Sequence, residues 1–169
     1  MRLKPTGSLG AALSDAHHSI ADLAGETRRL GERHRPDHDV HHLTSTLGRL
    51  LDAAAATLAR GGDRYDQSLS MPTPDADRSG GSLAPAREKL ADALGGRPIA
   101  GALLLADLRR LLGVAADASI ACIILAQGAQ ATGDRDLLEA VTAAHATVLR
   151  VHRWALTRLK TTAPQVLTS

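Results

Sequence analysis

The chain has no phenylalanine and only one tryptophan, one tyrosine and one cysteine in 169 residues. Each scarcity excludes something. Without aromatic side chains there are no stacking platforms for single-stranded nucleic acid. No Lys/Arg run exceeds two residues and the formal net charge is only +2, so the dense cationic stripe that duplex binding needs is missing too. No specific nucleic-acid partner is expected. The lone Cys122 has no partner for an internal disulfide and fits a reducing compartment, so a cytoplasmic location is expected. The basic start, Met1-Arg2-Leu3-Lys4, is not followed by the apolar stretch of a secretory signal. The most apolar run, 118–131, has about 14 residues against the ~20 that span a bilayer, so no membrane partner is expected either. Long β-branched runs are also lacking. The core must come from Leu, Ala, Val and Ile, a mixture that favours helix over strand.

The punctuation of the chain divides it into helices. The first runs from about Ser8, a suitable N-cap, to Arg35, and Pro36 stops it because the residue before proline disfavours helix. The second starts near Asp37 and ends at Gly61-Gly62, a glycine stop signal. Residues 61–84 are rich in Gly, Pro, Ser and Asp and read as linker. A short helix fits Pro85–Leu94, closed by Gly95-Gly96. The third long helix runs from about Pro98 to Thr132. Gly133 breaks it, Asp134 caps the fourth, and the fourth is expected to end before Pro164. The fold class is therefore all-α, with residues 1–169 forming one domain. It is a four-helix bundle of two antiparallel hairpins, 8–60 and 98–163, joined by a crossover linker at 61–97. A connection of that length crosses the bundle easily, which favours the ferritin-like arrangement with one long crossover.

Eight histidines invite a metal reading, and helical phase sorts them. Asp15-Ala16-His17-His18 and Asp39-Val40-His41-His42 look like paired motifs. However, His18 and His42 point away from the apolar stripes of helices one and two, and the two motifs stand roughly 15 Å apart along the axis. His38 and His42 have the i,i+4 spacing that can chelate a metal, but two ligands alone are a weak site. On helix four, His145 and His152 fall within the stripe, one heptad apart, so burial is expected. His145 should meet Ser119 and Cys122 of helix three. These two are the candidates for a bundle-core metal or haem. Cys122, on the core stripe, reads as a structural thiol. Neither "RGGDRYD" nor "RSGGSLAP" has the strand-to-helix context or the Lys-Ser/Thr pair of a phosphate loop, and no serine nucleophile elbow is present.

The segment 133–167, "GDRDLLEAVTAAHATVLRVHRWALTRLKTTAPQVL", together with the Ala-, Arg- and Gly-rich composition, resembles the last helix of small actinobacterial ferritin-like helical proteins of unknown function. The resemblance implies the fold. Di-iron members of such folds carry a Glu on two helices and Glu-x-x-His on the other two, and that constellation is not expected here. Glu139 is followed at the third position by Thr142, Asp39-x-x-His42 faces outward, Glu26 lies a quarter turn off its stripe, and Asp117 leaves helix three without a core-facing acid.

Outward positions carry the last signal. Trp154 on helix four, and Ile120 and Ile124 on helix three, point away from the expected core and suggest a surface buried by a partner. The favoured reading is a non-enzymatic bundle that self-associates or serves as an adaptor, with no cofactor expected. The alternative is a bundle holding iron, zinc or haem through His145 and His152 or at His38 and His42. A third reading is a carrier using the basic face Arg150, Arg153, Arg158 and Lys160.

Overall fold

The computed structural model describes residues 5–70 and 99–168. Four long helices make up the fold: α1 (Pro5–Arg33), α2 (His38–Arg60), α3 (Ile99–Thr132) and α4 (Arg135–Thr168), with a short 3-10 turn at Gly62–Tyr65. Among the described residues there is no strand. The expected short helix at Pro85–Leu94 lies outside them, as do Met71, Pro72 and Pro74 of the linker.

The helices start and stop for local reasons. α1 begins three residues before Ser8, at Pro5, where the fixed proline φ suits a first helical position. Asp37 caps α2, its side chain accepting from the Val40 N–H at 3.1 Å. Gly133 takes a left-handed φ of 72°, and the Asp134 N–H donates back to the Ala129 carbonyl, so α3 closes in a glycine-dependent cap. Asp134 then caps α4, accepting from the Leu137 N–H at 3.0 Å. Pro164 does not end α4, which continues to Thr168. The proline removes one helix bond, the one that its N–H would give to the Lys160 carbonyl, without ending the helix. The turn around it is held by burial of Thr162 and Val166, and Val166 packs against Ala102 and Leu105 of α3.

α1 packs on α2 and α3, and α4 packs on α3 and α2. Named contacts give the directions. Gly31 meets Thr44 and Arg28 reaches Asp52, so α1 and α2 are antiparallel. Leu9 touches Gly128 while Arg33 reaches Asp107, so α1 and α3 are antiparallel too. Asp37 pairs with Arg158, and Arg64 just beyond α2 pairs with Asp136 at the start of α4. α2 and α3 therefore run the same way. The core is one continuous cluster of Leu, Ile, Val and Ala with Tyr65 at one end. Its helix-one stripe, Leu9, Leu13, Ala16, Ile20, Leu23, Thr27 and Leu30, is fully buried as the spacing predicts. On α2 apolar character does not fix burial: Val40, Leu47, Leu51 and Leu58 are buried, whereas Leu43 and Leu50 are exposed. On α1 His17 is buried and His18 exposed. Which flank is covered follows from the neighbours that stand beside each helix, which phase alone does not contain.

Part of the expected linker is structured. Tyr65 is buried against α1, its carbonyl close to Gly10, and its hydroxyl donates to the Asp134 carboxylate. Burial and that hydrogen bond push the Tyr65 phenol up to about 12.

Candidate functional site

α3 differs from its neighbours in being apolar all round rather than on one stripe. Its inward row, Leu104, Leu108, Leu111, Ala115, Ala118, Cys122, Leu125 and Ala129, is buried in the bundle. Its outward row is Gly113, Ala116, Asp117, Ile120, Ile123, Ile124, Gln127, Gln130 and Ala131, all exposed. Ile120, Ile123 and Ile124 keep 58%, 48% and 55% of their surface in contact with solvent. Only one of these nine positions is charged. The apolar character extends well beyond the 14-residue run read from the sequence. Among the described residues, Ala100–Thr132 is the one helix long and apolar enough to cross a membrane, and only a third of its most apolar stretch is buried in the bundle. It nevertheless carries Asp107 and Arg110, both in ion pairs with α1.

Ile120 and Ile124 are thus exposed where the sequence places them. Trp154 is not. It is half-buried and packs against the core. His145 accompanies Val148 on the flank of α4 that meets α3, whereas Trp154 lies about 60° to the other side of Val151, toward α2. The structure does not unite the three residues into one patch. Ile123, which the sequence reading passed over, belongs with Ile120 and Ile124 instead. Its signal was the unbroken Ile-Ile pair, which no single-faced helix needs.

The histidines separate as follows. His38 and His42 are both exposed, their rings stacked with centroids 6.2 Å apart. His145 is half-buried, and its Nε2 lies 2.7 Å from the Ser119 hydroxyl, the partner expected from hairpin register. His152 is half-buried as well. Among the described residues no three His, Cys, Asp or Glu side chains stand close enough to share a metal ion. Cys122 is fully buried, and burial alone raises its thiol to about 11, so the unreactive thiol form prevails near neutrality.

Two carboxylates that helical phase does not place in the core are buried there. Glu26 of α1 is only 1% exposed, and Asp107 of α3 is buried too. The expectation that helix three has no core-facing acid is therefore wrong. Asp117 does face out, but Asp107, a little over two turns into α3, faces in. Glu26 binds Arg29 at 3.0 Å, Arg33 at 3.1 Å and Arg110 at 3.3 Å. Asp107 binds the Arg33 Nε at 2.9 Å and His34 Nε2 at 2.8 Å. Arg33 ties the two acids together. Burial pushes the Asp107 carboxyl up, but hydrogen bonds from His34 and Arg33 and their charge outweigh it, and the net direction is down. One acid on each of helices one and three is half of a ferritin-like metal set. These two do not fit that role, because guanidinium groups already occupy the oxygens a cation would need. The cluster instead cross-links α1 to α3. Beside it a cleft of about 640 Å³ opens among Arg33, His34, Leu104, Arg158 and Thr162. Arg158 is held there by Asp37 rather than lying on a free basic face.

No known family model, curated protein or solved structure matches this chain.

Proposed function

We propose that this chain is a ferritin-like four-helix bundle that acts through protein–protein contact, by self-association or as an adaptor, and not by catalysis. One observation carries the reading: the outer face of α3 presents Ile120, Ile123 and Ile124 to solvent, about half exposed each. Three adjacent isoleucines on one outward helix row are an apolar patch of the kind that marks an interaction surface. The crossover topology is supported by the parallel course of α2 and α3. A chain leaving α2 near Tyr65 must travel the length of the bundle before α3 can start beside the end of α1. The absence of catalysis is supported by the chemistry of the buried groups. The inward acids are neutralised by arginines, and the buried thiol is held protonated.

The test is light scattering on the whole chain over a wide concentration range, for wild type and Ile124→Asp. A mass above that of one chain, reduced to one chain by Ile124→Asp with helicity intact, is the expected result. A wild-type monomer that captures no protein partner through this face overturns the proposal.

A further inference from the structure

We propose that the outer face of α3 meets its own copy, in an antiparallel arrangement. This rests on the interaction surface proposed above and goes on to name its occupant. The exposed row repeats with alternating steps of four and three: Gly113, Asp117, Ile120, Ile124, Gln127 and Ala131. That is the a/d spacing of a coiled-coil seam. The seam is symmetric about position 122. A two-fold axis there sets Ile120 against Ile124 of a second copy, Asp117 against Gln127, and Gly113 against Ala131. Each contact occurs twice, as an isologous interface requires. Isoleucine meets isoleucine, a carboxylate meets an amide that can donate to it, and small meets small. The parallel alternative sets Asp117 against Asp117, the only charge of the row against itself, and like charges in apposition are unfavourable. The overlapped stretch, 112–132, is about 30 Å long and stops short of Arg109.

Gly113 supplies an independent observation. A glycine inside a helix costs stability, about 1 kcal/mol relative to alanine. Packing within the bundle often explains such a residue, as at Gly31, where a Cβ would collide with Thr44. At Gly113 a Cβ would meet nothing within 4 Å among the described residues. Among the described residues no contact requires it to be small, and it stands where the seam would bring a second backbone close. Two copies of this chain pair through α3 in this antiparallel, two-fold arrangement.

The experiment is sedimentation equilibrium on the whole chain for wild type, Ile120→Asp, Gly113→Leu and Gln127→Lys, each checked for wild-type helicity. Wild type should be a dimer. Ile120→Asp should be a monomer, and Gly113→Leu, which fills open space in the single bundle, should weaken dimerisation without loss of fold. Gln127→Lys faces Asp117 twice in the antiparallel pair, so it should tighten the dimer about threefold to tenfold at low salt and lose that gain at high salt. A Gln127→Lys dimer that is unchanged or weaker, with Ile120→Asp still monomeric, overturns the antiparallel pairing and leaves self-association standing. A wild-type monomer, or an Ile120→Asp dimer, overturns self-association through this face altogether.

Discussion

Glu26→Gln is the substitution that tests most directly what holds α1 against α3. The glutamine keeps the shape of the side chain and removes its charge. In the wild type, three guanidinium groups converge on a carboxylate that water hardly reaches, at 3.0, 3.1 and 3.3 Å. Removing one partner of a fully buried ion pair costs about 3–5 kcal/mol, because it strands the other charge. Here the stranded charges are arginines with between a quarter and a third of their side chains still in water. They recover part of their hydration, so about 2–3 kcal/mol is the expected loss. For a chain of this size that corresponds to a fall in Tm of about 5–10 °C. The assay is urea unfolding followed by circular dichroism, alongside a thermal scan. The denaturant slope should not change, since the same surface is exposed on unfolding. Glu32→Gln is the control. Glu32 is 63% exposed and 3.9 Å from Arg35, so its loss should cost less than about 0.5 kcal/mol. If Glu26→Gln proves as mild as Glu32→Gln, the cluster does not hold the two helices together and the reasoning fails.

Two further outcomes follow from single contacts. Gly31→Ala would drive a Cβ into the Thr44 hydroxyl, which is itself bonded to the Val40 carbonyl of α2. A loss of about 1–3 kcal/mol is expected, and Thr44→Ala, by clearing that space, should make the loss smaller in the double variant. Equal losses with and without Thr44→Ala in a denaturation cycle would show that the two helices do not meet there. The Tyr65–Asp134 contact sets a pH window. Tyr65 holds its proton more tightly folded than unfolded, so its contribution is complete below pH ~10 and disappears as the pH rises toward about 12. Asp134 is shifted the other way, first by the Tyr65 hydroxyl and then by the Leu137 N–H. Its contribution is present above pH ~4 and lost as the pH falls through its lowered value. Tyr65→Phe should flatten both flanks of a plot of urea midpoint against pH; an unaltered alkaline flank would refute the assignment.

Much of the bundle was legible before any coordinates. Asp37, Gly133 and Asp134 mark helix ends through backbone chemistry that acts within a few residues, and each acts where the sequence places it, whereas α1 stops at Arg33, two residues short of the end expected before Pro36. Ser119 opposite His145 followed from register in a tight hairpin. The end of α4 was misread because Pro164 looks like a stop. Its helix survives because Val166 finds a home against α3. Trp154 looked outward because α4 was judged by its own stripe, while the helix that shelters its other flank is distant in sequence.

What the sequence alone determined about this protein is its four long helices, their order and most of the inward stripe on each, because hydrogen bonding and periodic burial are local. The outward Ile120 and Ile124 of α3 belong to the same category, since helical phase alone turns them away from the core, whereas Ile123 joins them only in the folded bundle. Only the tertiary structure decided the charged interior. Glu26 and Asp107 are ordinary surface residues by type, and they become buried cross-links only when Arg33 and Arg110 reach them from adjoining helices. The close approach at Gly31 and the anchoring of Tyr65 on Asp134 have the same origin. Each depends on a partner far along the chain, and long-range pairing has no periodic signature from which it can be read.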